Sequence, residues 1–305
     1  MNIIHLRLIE LKQWLTGYRR RQRRVREARR AEVEALCMAA DAPPIGGGEG
    51  PVVSLTSYGH RLGVVHCAIE TIAQQTLPPQ RVILWLTEDE STDDNPFLKR
   101  QMERGLEVRR CEDLRSFMKL IPTLRLLGLD NRPPIVTIDD DIMYQPTLLQ
   151  SLHDTAKAFP GAVVCPRTQW ITREDTGLHW PKVTDCPEPR PDILATGVGG
   201  AYYPAGCFTE EVLRADRFME LTPRADDLWF WGMERLAGTL VMKSPSVSPI
   251  NEDYIDVDMG RKRGLVINNV YFGGNHRQLM ALLRAYPQID ESIDQWLKKK
   301  TTSTT

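Results

Sequence analysis

The stretch Ile135-Val136-Thr137-Ile138-Asp139-Asp140-Asp141-Ile142 decides the architecture. Its apolar, β-branched first half reads as a short buried strand, which hands over to three successive carboxylates at its carboxyl end. Upstream, strand and helix patterns alternate: a strand over 52–56, a helix over 64–75, a strand over 82–87, a helix over 96–104, a short strand centred on Val108 and a helix over 117–127. Downstream, a helix over 146–158 opens with Pro146 in its first turn, and the apolar run Ala162-Val163-Val164 follows. Such alternation predicts an α/β fold with a mainly parallel central sheet flanked by helices. Sheets of this kind bind ligands beyond the carboxyl ends of their strands, so the chemistry is sought in the residues after each strand.

Beyond Val164 the pattern loosens. Residues 165–205 hold six prolines and no clear period, which suits a substrate-covering loop better than a stretch of core. A helix over 226–237 with two acids at its start, a strand over 239–242 and a helix over 278–286 are expected after it, and the polar tail 298–305 reads as frayed. Six of the eight residues 43–50 are Pro or Gly, which marks a linker. The division is therefore a helical arm over 1–42, a linker over 43–50, one catalytic domain over 51–297 and a tail.

The composition belongs to a folded protein: 305 residues, 42% hydrophobic and 26% charged, with a formal net charge of −1. That near-neutrality hides an asymmetry. Residues 1–36 carry ten Lys or Arg against four Glu, an excess of +6, so the remainder carries −7. The six cysteines lie at least 21 residues apart and form no C-x-x-C pair, so they read as reduced thiols of a cytoplasmic protein. No apolar run reaches the roughly 18 residues that span a bilayer. Ile4, Leu8, Leu11 and Leu15 share one helical stripe beside a segment in which eight of twelve residues, 19–30, are arginine. This arm can lie on an anionic membrane surface, giving peripheral attachment at its inner face, or dock on protein; binding of nucleic acid is the weakest of the three readings.

Three adjacent carboxylates repel one another unless a cation joins them. A hard divalent ion, Mn2+ or Mg2+, is the natural partner of such oxygen ligands, with an acidic turn before the next helix as the plainer alternative. Period-two alternation would send Asp139 and Asp141 to the same side of the strand. Two enzyme classes use a strand-borne Asp-x-Asp: nucleotide-sugar glycosyltransferases, which hold a metal on the donor diphosphate, and haloacid-dehalogenase-type phosphatases, whose first Asp is a nucleophile. The phosphatase places the motif on its first strand and needs a lysine just before a later acidic pair. Here three strand-helix units precede it, and the nearest lysine upstream of Asp226 is Lys182, 44 residues away.

Five segments in order then resemble a family-two-like glycosyltransferase of the GT-A fold. They are VSLTSYGHR (53–61) with AIETIAQQTLP (68–78) and VILWL (82–86), Lys119-Leu120-Ile121-Pro122, Asp139-Asp140-Asp141, GVGGAYYP (197–204) and Asp226-Asp227-Leu228-Trp229. The resemblance covers roughly residues 51–277. It implies metal-dependent, inverting transfer of a sugar from a nucleotide-sugar donor, a UDP-sugar by default, to a saccharide or lipid-linked acceptor in surface polysaccharide assembly.

Residue by residue, the resemblance assigns Thr56, Ser57, Tyr58 and Arg61 to the nucleotide pocket, and a strand-end loop with hydroxyls, an aromatic face and a guanidinium suits that task. Lys119 would pair with the diphosphate. Asp139 and Asp140 would face the sugar nucleotide, Asp139 and Asp141 the metal, and His276 after Gly273-Gly274-Asn275 would complete the metal shell. Gly199 and Gly200 would let backbone approach the donor. The acidic pair supplies the base, Asp227 being favoured over Asp226, against the alternative of a helix-capping turn. Trp229 and Trp231 suit either sugar faces or the core.

Overall fold

A computed structural model describes residues 23–171, 180–245, 254–257 and 273–302. In chain order the elements are α1 (23–38), β1 (Val52–Thr56), α2 (Val65–Ala73), β2 (Arg81–Leu86), α3 (Pro96–Glu103), β3 (Glu107–Arg110), α4 (Ile121–Leu127), β4 (Ile135–Thr137), β5 (Ile142–Tyr144) and α5 (Leu148–Ala158). They continue with β6 (Val163–Cys165), β7 (Thr168–Trp170), β8 (Ile193–Ala195), β9 (Ala201–Tyr203), α6 (Ala215–Leu221), α7 (Asp226–Leu236), β10 (Val241–Lys243), β11 (Tyr254–Asp256), α8 (Gly274–Ala285) and α9 (Gln288–Thr302). Seven strands form one sheet in the order β10-β6-β9-β4-β1-β2-β3. Every neighbouring pair is parallel except those made by β9, which runs against both β4 and β6. This is the mainly parallel, helix-flanked sheet that the strand-helix alternation predicts.

The central strands are buried because their sequences are apolar on both faces. Val52, Val53 and Leu55 of β1 and Val82, Ile83, Leu84 and Leu86 of β2 are fully buried, as suits a parallel strand covered on two sides. The α7 helix is apolar nearly all round: Trp229, Phe230, Trp231 and Met233 are inaccessible, each worth about 1.5–3 kcal/mol or more of burial. Phe117 stacks on Phe218 at 4.1 Å and meets Phe230 edge-on at 5.9 Å, so the turn that carries Lys119 packs on the same core. The acids at the start of α7 therefore stand on a rigid element.

Several expectations are corrected. The helix expected over 117–127 is a 3-10 turn, Arg115–Lys119, followed by α4, because Pro122 must occupy the first turn of a helix and cannot sit in its interior. The acid row lies on a turn, since β4 ends at Thr137, so period-two alternation does not govern Asp139–Asp141. The helix α8 begins four residues before Gln278, and α9 continues to Thr302 through the segment expected to fray. The irregular stretch after Val164 contains β7, β8 and β9, each of three residues and too short to show a period.

The Gly/Pro segment 43–50 is not a free linker. Ile45 is 2% exposed, and its N–H donates to Arg104 O at 2.7 Å. The amides of Gly47, Gly48 and Gly50 donate to the carbonyls of Gln80, Pro79 and Pro78, pinning the segment beside β2. Helix α1 is likewise docked on the body: Val33 and Cys37 are fully buried, Glu34 meets His66 at 3.1 Å, and Arg104 donates to Cys37 O at 3.2 Å. The amphipathic stripe at Ile4–Leu15 falls outside the described residues. Five cysteines are buried and Cys111 is partly so, and all six are free thiols.

Candidate active site

Parallel strands β1 and β4 end on the same edge of the sheet, so the loop after β1 meets the acid row after β4. Ser57 Oγ donates to Asp140 Oδ2 at 2.7 Å, and Arg61 Nη1 donates to Asp140 Oδ1 at 2.8 Å. The other arm of the Arg61 guanidinium reaches Asp141 Oδ2 at 3.3 Å. Burial pushes the Asp140 carboxyl above the usual range, against the opposing pull of Arg61 and Ser57. Burial also works against the Arg61 charge, but Asp140 and Asp141 outweigh it and raise that group. Arg61 and Ser57, expected in the nucleotide pocket, are thus committed to the acid row.

Tyr58 keeps 56% exposure, with the Arg61 guanidinium 5.4 Å from its ring centre, so its ring is open for a flat heterocycle to stack on. Thr56 turns away and donates to Trp85 O at 2.9 Å, locking β1 to β2. The Gly59 amide donates to Glu90 Oε1 at 2.7 Å, an anchor for this loop that no sequence motif announced.

Asp139 faces the other way. Its carboxylate lies 3.6 Å from Lys119 Nζ and keeps 28% of its side-chain surface. Its backbone amide donates to Tyr144 Oη at 2.9 Å, and that hydroxyl in turn reaches Val198 O at 3.5 Å. Tyr144 is 3% exposed and joins the acid row to the glycine turn before β9. Sequence reasoning missed it because β5 has only three residues.

Lys119 is the centre of the second half of the site. Besides Asp139, its Nζ lies 2.8 Å from Asp226 Oδ2 and 3.8 Å from Asp227 Oδ1, with only 10% of the side chain exposed. Burial opposes its charge, but Asp226, Asp139 and Asp227 outweigh burial and hold the ammonium well above its ordinary value. Gly197 N donates to Asp227 Oδ1 at 3.2 Å. For Asp227, burial is the largest influence and raises the carboxyl; Lys119 opposes it, Asp226 and Asp139 reinforce it, and the result is about 7. Its side chain keeps 31% of its surface, so the carboxyl remains open to solvent.

The remaining expected residues divide. Gly199 packs against Pro166 and Arg167, and Gly200, at φ +85°, turns the chain beside Leu148 into β9; Gly197 is the glycine that meets charged groups. Trp229 donates its indole N–H to Val212 O and Trp231 donates to Pro191 O, so both belong to the core. His276 stands in the first turn of α8, and among the described residues it does not gather with Asp139 and Asp141. The one described set of three ligating side chains within 4.8 Å is Glu34, His66 and Cys67. That set is a satisfied network: Asn95, fixed by capping α3, turns its amide nitrogen to His66 Nδ1 at 3.3 Å, leaving the Nε2 proton for Glu34, which Arg30 also holds at 2.7 Å.

Five carboxyl groups thus surround two cations, Arg61 and Lys119, so acids outnumber bases in this largely buried cluster. The donor set is oxygen alone, and Asp139 opens to the cleft. Oxygen donors of this kind suit a hard divalent cation, although Asp139 and Asp141 turn to different partners, Lys119 and Arg61.

No family model matches the sequence, and no curated protein matches it. Among solved structures, the chain is similar to Mannosyltransferase PcManGT from Pyrobaculum calidifontis, solved in complex with GDP-Man and Mn2+. The two are 12% identical with a TM-score of 0.46, over 89% of this chain and 82% of that one.

Proposed function

We propose that the protein is a metal-dependent, inverting glycosyltransferase of the GT-A type, taking a nucleotide-sugar donor, with a UDP-sugar favoured, and a saccharide or lipid-linked acceptor of surface polysaccharide assembly. One observation carries this reading. An acid row beyond β4 and a separate helix-borne carboxylate, Asp227, held near the neutral range, meet at one edge of a parallel sheet. The first suits a diphosphate with its cation, and the second suits removal of a proton from an attacking hydroxyl.

In this reading Tyr58 stacks on the base of the donor, and Asp139 and Asp141 hold the cation. When bound, that cation supplies stabilisation of charge on the departing diphosphate. Ser57 and Arg61 keep Asp140 and Asp141 in place, and Tyr144 fixes the backbone of Asp139. Asp227, with one oxygen tied to Gly197, presents its other oxygen to the acceptor hydroxyl and accepts the proton as the hydroxyl attacks the anomeric carbon.

A panel of nucleotide sugars with Mn2+ or Mg2+, read by calorimetry and by slow donor hydrolysis, tests the reading. One donor class should bind in a metal-dependent way, and Asp141→Ala should weaken that binding at least tenfold. Indifference to every donor, or turnover of a generic phosphomonoester instead, would sink it.

The basic arm is proposed to hold the enzyme beside anionic lipid. Of the five arginines in α1, Arg23, Arg29 and Arg30 are paired with Glu27, Glu32 and Glu34, so three of the eight arginines in the basic run are already neutralised on the docked helix. Residues 1–22 hold five Lys or Arg against Glu10, an excess of +4 beside the apolar stripe. At about 1 kcal/mol per basic residue, removing residues 1–22 should lower affinity for phosphatidylserine-containing vesicles more than tenfold and leave neutral vesicles unaffected. Unchanged sedimentation with anionic vesicles would overturn the tether. Among the described residues, no helix is long and apolar enough to cross a membrane.

A further inference from the structure

Lys119 has an unusual seat. A side chain on Gly197 would drive its Cβ into Lys119 Nζ and bring it within 3.2 Å of Asp227 Oδ1. Gly197 is not among the residues with positive φ, so nothing in its backbone conformation requires glycine. Space for the ammonium does. The three carboxylates within 4 Å of Nζ come from two distant segments, Asp139 beyond β4 and Asp226-Asp227 at the start of α7. An ammonium has three N–H donors and no more. Asp226 at 2.8 Å can take one of them, Asp139 and Asp227 at 3.6 and 3.8 Å face the ammonium as charges, and with 10% of the side chain exposed these carboxylates enclose it.

We infer that Lys119 is a positioning residue of the transfer step, not a ligand of the donor diphosphate: its ammonium, seated in the space that Gly197 leaves open, ties Asp227 and Asp226 to Asp139 and so sets the base in register with the donor. This rests on the glycosyltransferase reading above. Without the ammonium, Asp139, Asp226 and Asp227 repel one another, and α7 is no longer fixed electrostatically to the acid row. Tyr58 and the Arg61–Asp140–Asp141 cluster keep their own ties. Misplacing a base by about 1 Å costs on the order of 10²-fold in rate while leaving ground-state binding nearly intact.

Two variants reach the same ammonium from opposite sides. Lys119→Met keeps the length and apolar stem and removes the charge. Gly197→Ala keeps the lysine and fills its seat. The wild type and both variants are compared for metal-dependent nucleotide-sugar affinity by calorimetry, for kcat and donor KM of transfer, and for melting temperature. Both variants should lose about 10²-fold in kcat, with donor Kd and KM within about threefold of wild type. A tenfold or greater loss of donor affinity in Lys119→Met, with kcat retained at saturating donor, would make Lys119 a diphosphate ligand and overturn the inference. So would a Gly197→Ala enzyme with wild-type kcat. A collapse of melting temperature in Lys119→Met alone is answered by Gly197→Ala, which keeps the charge in the fold. A wild type that binds no nucleotide sugar overturns the transfer reading, and this role with it, whereas a wild type that transfers beside unaffected variants overturns this role alone.

Discussion

Asp227→Asn is expected to lower kcat about 10³-fold while leaving nucleotide-sugar affinity within about threefold of wild type, the size and pattern of a lost general base. The amide keeps the shape of the side chain and can still accept from Gly197 N, so the fold has no reason to change. What disappears is the capacity to take a proton. Asp226→Asn should be milder, because Asp226 is the partner 2.8 Å from Lys119 and its side chain is 12% exposed, whereas Asp227 keeps 31% of its side chain open. The pH profile gives a second check. A base works when ionised, and the Asp227 carboxyl is raised to about 7, chiefly by burial. Below that value it holds a proton and is inactive, so kcat/KM should climb about tenfold per pH unit on the acid side and level off near pH 7. A flat profile between pH 5 and 8, or an Asp226→Asn enzyme more damaged than Asp227→Asn, would assign the base elsewhere.

The sheet was legible because parallel strands buried on both faces leave continuous apolar runs, as in Val82–Leu86, and because the helices between them carry their own start signals. Asn95 before Pro96 is one: its side chain accepts from Phe97 N and Leu98 N at 3.0 and 3.1 Å. The acid row and the acidic pair were legible as composition alone. Their pairing was not, because it depends on where the strand stops. With β4 ending at Thr137, the three acids follow a turn, and Asp139 parts from its neighbours to meet Lys119. The antiparallel β9 hid inside a glycine motif, since three residues carry no period. Lys119 read as a phosphate ligand because a lysine's partners lie across the fold and leave no local trace. The glycine that matters to it is the first of the GVGG run, not the pair that the resemblance singled out.

Arg104→Met is expected to cost about 3–5 kcal/mol of stability, the range for breaking a buried ion pair from one side. Arg104 follows α3 and spends its guanidinium on three segments. It donates to both oxygens of Glu70 at 2.8 and 3.0 Å, to Pro43 O at 2.8 and 2.7 Å, and to Cys37 O at 3.2 Å. Glu70 is fully buried and keeps Gln101 at 3.1 Å, Gln74 at 3.4 Å and the Cys37 thiol once Arg104 is gone, and two backbone carbonyls lose their donor. The double variant Glu70→Leu/Arg104→Met removes both charges together and should cost clearly less than the sum of the single changes, a coupling of about 1–3 kcal/mol by urea denaturation. The result decides how the arm is attached. A flexible Gly/Pro linker would make Arg104 a surface residue worth under about 1 kcal/mol. A large, strongly coupled loss means that α1 and the 43–50 segment are part of the folded body. The part of the basic arm left for the proposed tether would then be residues 1–22.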